Sequence, residues 1–197
     1  MTLPIQTRQL SDDLYALFDG RNTSTATREL LAAGAHDAVH EHHRAIAYLV
    51  SESLYSSAYA LLRAMFDGCL RGLWLTHVAT EDELNRFTEE TYDPKPERVL
   101  KLLEGKNVAG AETLRQIYDA GWKVMSNYVH GGFRQVVGRL GTGFIGSNYS
   151  EQEVSTLLQQ ANWFALLAAV ELAAIASDEQ LLQSLVAISE RYAATRA

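Results

Sequence analysis

Apolar residues run almost unbroken around the helical stretch LYSSAYALLRAMFDGCLRGLWLT, in which Arg63, Asp67 and Arg71 are the only charged side chains between Ser53 and Thr76. Leu61, Leu62, Met65, Phe66, Leu70, Leu73 and Trp74 surround them, which are residues of core type. A second stretch, Trp163 to Ala176, is apolar on nearly every side and carries one acid, Glu171. Helices without a polar face belong at the centre of a bundle, with amphipathic helices packed outside them. The pattern therefore predicts two central helices.

Start and stop signals delimit the rest. A short helix is expected over Ser11 to Phe18, then the turn Asp19-Gly20-Arg21-Asn22, then a long helix from about Thr25 to Val50. Thr80-Glu81-Asp82-Glu83 and Ser150-Glu151-Gln152-Glu153 are capping boxes, each with a glutamate placed to return a hydrogen bond to the cap. Asp93-Pro94 opens a helix that Gly105 can stop, and Ala111 to His130 is a further helix ended by Gly131-Gly132. Ser177-Asp178-Glu179-Gln180 caps a last amphipathic helix, and Val136 to Phe144 is the one place for a short strand pair. The expected architecture is a single all-α domain over residues 1–197, a bundle of about six to eight helices with its core at roughly 25–176.

Composition changes this picture little. At 197 residues the chain is long enough to bury a full core. A net charge of −7 argues against indiscriminate nucleic-acid binding, which needs a basic surface. From Lys95 to Arg139, however, the bases Lys95, Arg98, Lys101, Lys106, Arg115, Lys123, Arg134 and Arg139 outnumber Glu97, Glu104, Glu112 and Asp119. Cys69 is the single cysteine, so no internal disulfide forms. The N-terminal residues lack a signal-peptide pattern, and no uncharged apolar run reaches the length that predicts a membrane span; a cytoplasmic protein is the expectation.

The candidate chemistry starts from the charge ladder. Arg63, Asp67 and Arg71 fall at i, i+4 and i+8, on one helix face, where each reaches its neighbour. Buried charge is costly unless paired, so the ladder marks either a structural ion network or a binding site. Glu171 also needs a cation, and Arg63 or Arg71 is its expected partner. A second polar group, Asn127-Tyr128-Val129-His130-Gly131-Gly132, stands at a helix end, where an imidazole can act as a general base or simply meet the helix dipole. Two arginines suit an anionic group. The expected site thus has Arg63 and Arg71 on a phosphate-bearing ligand or RNA, Asp67 and Glu171 holding them, and His130 with Asn127 and Tyr128 completing it. Arg71 and His130 are its catalytic candidates.

His36, His40 and His43 share a helix face beside Asp37, Glu41 and Arg44. Imidazoles so placed can meet a metal, but an exposed polar face is the expectation, and neither metal nor cofactor is assigned. The glycine-rich VGRLGTGFIGSN lacks the Lys-Ser/Thr of a phosphate-binding loop and reads as a mobile loop beside the His130 turn.

Arg63 to Leu75, Arg-x-x-x-Asp-x-x-x-Arg-Gly-Leu-Trp-Leu, followed by Tyr128-Val129-His130-Gly131-Gly132, resembles an uncharacterised bacterial all-helical family, a domain of unknown function. The resemblance implies a fold over roughly residues 25–176 and no activity. Arg71 and His77 are also faintly similar in spacing to the arginine–histidine signature of HEPN domains, helical bundles of toxins and phage-defence RNases that act as dimers. Gly72 departs from that pattern, in which the residue after the arginine is usually polar. An RNase is what this likeness implies. The competing reading is a non-catalytic interaction protein, binding a partner or forming a homodimer, in which the ladder is structural.

Overall fold

The computed structural model describes residues 2–22 and 24–194. Among them nine helices and one two-stranded ribbon follow in chain order: α1 Leu3–Phe18, α2 Thr27–Ser51, α3 Tyr55–His77, α4 Glu81–Thr88, α5 Pro96–Gly105, α6 Ala111–Val129, α7 Phe133–Val137, β1 Leu140–Gly141, β2 Phe144–Ile145, α8 Glu151–Ala176 and α9 Glu179–Ala194. The protein is an all-α bundle. The helix beyond the expected number is the five-residue α7, which overlaps the segment expected as a strand pair only at Val136 and Val137.

Local chemistry explains most of the boundaries. Thr80 and Ser150 close both predicted capping boxes, each accepting from the glutamate backbone N–H three residues on while that carboxylate returns to the cap. Asp178 Oδ1 accepts from the backbone N–H of Gln180 and Leu181 at the start of α9. Two boundaries differ from expectation. α1 begins at Leu3, with proline in its first turn, and α5 starts at Pro96 after Lys95 rather than at Asp93-Pro94.

α3 and α8 are central, as their patterns require, but α2 joins them. Its buried stripe is Ala32, His36, Val39, His43, Ile46 and Val50, alternating four and three residues apart. The histidines therefore lie on the apolar stripe and not on an exposed face: His36 is 0% and His43 1% exposed. Side-chain pairs set the directions. His43 meets Asn162 and His40 meets Ala165, so α2 runs antiparallel to α8. Cys69 faces Phe164 and His77 faces Glu171, so α3 runs parallel to α8. Arg63 meets Ser126 while Tyr59 stacks on Tyr128, which makes α6 antiparallel to α3.

By length and composition α8 could cross a bilayer, contrary to the shorter run expected from sequence. Here it is a core helix, whose Asn162 and Glu171 are both hydrogen-bonded to histidines of neighbouring helices.

Candidate functional site

Arg63 and Asp67 form the expected pair within α3, Nε to Oδ2 at 2.8 Å. The Arg63 guanidinium also donates to Ser126 Oγ at 2.6 Å and lies 3.2 Å above the Trp122 ring centroid. Its charge is thus met by a carboxylate, a hydroxyl and an aromatic face at once. Burial raises the Asp67 carboxyl above the ordinary carboxylate range, although Arg63 and Arg71 both pull it down. Arg71 turns away from this pair to bind Asp93, in the connection between α4 and α5, and its guanidinium packs over Phe87. A cavity of about 180 Å³ opens between Arg63, Asp67, Arg71 and Asp93, with Pro94 and Pro96 on its rim. It holds two cations and two anions, so no uncompensated charge awaits a phosphate.

Glu171 does not pair with either arginine. Its Oε2 lies 2.8 Å from His77 Nε2, and the carboxylate is buried. The reason is register. α3 and α8 run parallel, which sets Glu171, near the end of α8, beside the last residue of α3, whereas Arg63 lies about four turns earlier on the face that meets α6. His77 was legible only as half of an arginine–histidine spacing. The structure gives it another face from Arg71: six residues turn an α-helix through about 240°. One side chain therefore meets the α4–α5 connection and the other meets α8.

His130 is exposed beyond the C-terminus of α6, next to Gly131 at φ +65°. It belongs to the opposite end of α3 from Arg71. Tyr128, two residues before it, stacks on Tyr59 with centroids 4.5 Å apart, and Tyr59 precedes Arg71 by twelve residues, or about 18 Å of helix rise. The two catalytic candidates do not share the ladder cavity. Asn127 and Tyr128 have structural partners instead. Asn127 Oδ1 accepts from the Arg134 backbone N–H at 3.0 Å and touches Gly132 so closely that a Cβ there would lie 2.3 Å from it. Tyr128 belongs to a cluster with Tyr59 and Tyr149, the latter sharing a 2.9 Å hydrogen bond with Ser56. Burial and the neighbouring tyrosines push the Tyr59 and Tyr128 hydroxyls upward, so both stay protonated donors near neutral pH. The cluster ties the glycine-rich segment to α3.

Comparison with family models matches residues 36–195 to DUF6988, a family of unknown function. The chain belongs to that family. No curated protein and no solved structure matches it, so the HEPN likeness rests on the spacing of Arg71 and His77 alone. The match begins at His36 within α2 and leaves out α1.

His36 and His43 of this DUF6988 chain are core groups. His43 Nε2 lies 2.7 Å from Asn162 Oδ1, and the Asn162 amide donates to Thr7 Oγ1 at 2.9 Å and to the Tyr192 hydroxyl at 2.5 Å, which links α1, α2, α8 and α9. Among the described residues no group of three or more His, Cys, Asp or Glu side chains is arranged to hold a metal ion.

A different surface combines the end of the basic stretch with the glycine-rich segment. From Ala120 to Ser150 there is no acidic residue, while Lys123, Arg134 and Arg139 are basic. This is a local +3 in a chain of net −7, which leaves −10 on the remainder. Two of the earlier bases of the basic stretch are paired, Arg98 with Glu83 and Arg115 with Glu104, and Arg134 and Arg139 form no ion pair among the described residues. The same segment exposes Ile145 (86%), Phe133 (76%) and Phe144 (60%), with Val136 and Leu140 about half exposed. Leu140 and Ile145 stand opposite one another across the ribbon and share one side of it.

Proposed function

We propose that this protein is a non-catalytic interaction module. In this reading the Arg63–Asp67 and Arg71–Asp93 pairs are structural, and α7 with the β1–β2 ribbon docks an acidic, apolar surface of a partner protein. The observation that carries it is the coincidence, over residues 133–145, of missing acids, two arginines with no ion pair among the described residues and five exposed apolar side chains. Protein interfaces are enriched in aromatics and arginine and depleted of aspartate, glutamate and lysine, which is the composition found here. Exposed apolar residues gathered in one segment and anchored by a tyrosine cluster have no role in the bundle's own core. Charge complementarity selects the occupant. A second copy placing the same face against itself would oppose arginine to arginine, whereas an acidic partner would neutralise both.

The full chain carrying a photo-crosslinking side chain at Ile145 tests this in the cells that make it, with the same label at Val186 on α9 as control. A protease-sensitive, nuclease-resistant adduct at position 145 alone, lost with Arg134→Glu and Arg139→Glu, supports the reading. A nuclease-sensitive adduct would make RNA the partner. A dimer of the chain would make the face self-associating, and equal adducts at both positions would remove the face from consideration.

A further inference from the structure

Between α1 and α2 lies a cavity of about 190 Å³ lined by Ser11, Asp19, Asp37, His40, Glu41 and Arg44, with Leu14 and Phe18 as its apolar wall. Two of its polar atoms are buried and have no partner among the described residues: Ser11 Oγ and His40 Nδ1. Ser11 is only 3% exposed, so bulk water does not satisfy its hydroxyl.

The protonation of His40 follows from geometry. Its Nε2 lies 3.1 Å from the carbonyl oxygen of Ala165, and a carbonyl can only accept, so Nε2 carries the hydrogen. Burial lowers the basicity of this imidazole, which keeps it neutral. Nδ1 is then a bare lone pair. Asp19, Asp37 and Glu41 add three carboxylates that form no ion pair among the described residues, and the one cation, Arg44, sits 4.1 Å over the Tyr15 ring. The cavity therefore presents acceptors almost exclusively: carboxylates, an imidazole nitrogen and a hydroxyl.

We propose that this cavity binds a small aliphatic ammonium ion. An ammonium head has three donors and no acceptor, the complement of such a wall, and its charge answers the surplus of carboxylates. The volume equals that of about six water molecules, enough for an alkylamine of roughly that many non-hydrogen atoms. Its chain would lie on Leu14 and Phe18. A metal ion fits less well, because no three ligating side chains converge. A neighbouring cavity of about 300 Å³ shares Phe18, Asp19 and Asp37 and is also lined by Arg21, whose charge is met by Asp178, which leaves room for the second ammonium of a diamine beside the two shared carboxylates.

Isothermal titration of the full chain with butylamine and with 1,4-diaminobutane is the test, beside 1-butanol as neutral isostere and zinc chloride as the metal alternative. The expected result is saturable binding of one amine per chain and none of the alcohol. Asp37→Asn should weaken it about tenfold by removing a charge-assisted bond. Ser11→Ala should weaken it severalfold without lowering the melting temperature, since that hydroxyl has no partner among the described residues. Absence of saturable binding at millimolar amine overturns the proposal. Unchanged affinity in both variants does so too, since attraction to surface acids would then suffice, as does stoichiometric zinc without amine binding.

Discussion

Gly72 of α3 lies against the ring of His36 of α2, so closely that a Cβ on the glycine would stand 2.4 Å from the imidazole Cε1 and Nε2. Gly68, one turn earlier, meets Val39 in the same way, at 2.8 Å. The two glycines let α2 and α3 approach backbone to side chain, and the buried imidazole has no room to retreat. Gly72→Ala should cost about 1–3 kcal/mol through overpacking, despite the better helix propensity of alanine. Urea unfolding of the two proteins measures it; equal midpoints would mean that the helices separate freely.

Neither ring nitrogen of His36 has a hydrogen-bond partner among the described residues, and its pKa is pushed down to about 3, chiefly by burial. That of His43 falls to about 4, again chiefly by burial. In the unfolded chain both titrate near 6.5, so in acid the unfolded state binds protons that the folded state refuses. Their stabilisation is complete above pH 6.5 and is lost as the pH falls toward 4, at about 1.4 kcal/mol per pH unit for each histidine. His36→Leu should remove one histidine's share of that slope and leave stability at pH 7.5 equal or higher, since an unsatisfied polar group is replaced by an apolar one. Denaturant unfolding at pH 7.5, 6, 5 and 4.5 checks it; parallel curves for both proteins would refute the assignment.

Through Asn162, side chains of α1, α2 and α9 all reach α8. Asn162→Leu should destabilise the bundle by about 2–4 kcal/mol, because it takes the shared partner from His43 and Thr7 inside the core. Hydrogen exchange should show α1 and α9 losing protection together. Loss confined to one of them would show that the network does not couple them.

The Arg63–Asp67 pair lends itself to a double-mutant cycle. Arg63→Met alone strips Asp67 of its cation and uncovers Trp122, and should cost more than Arg63→Met combined with Asp67→Leu. A coupling of about 1 kcal/mol is expected for a half-buried pair of this kind. Additive single effects would show that the two side chains act independently.

The all-α class, the central places of α3 and α8, both capping boxes and the Arg63–Asp67 contact were written in the chain, because each depends on residues at most four positions apart or on helical period alone. The burial of His36 and His43 was legible as well: both fall on the stripe of Val39, Ile46 and Val50, and polarity had outweighed period in placing them outside. What tertiary structure alone decided was which helix end meets which. The parallel packing of α3 and α8 assigns Glu171 to His77, the antiparallel packing of α3 and α6 puts His130 far from Arg71, and the α4–α5 connection brings Asp93 to Arg71. Such pairings join residues from 22 to 94 positions apart, and no local propensity encodes them. They follow from the direction in which each helix crosses its neighbour, a property of the packed bundle and not of any one segment.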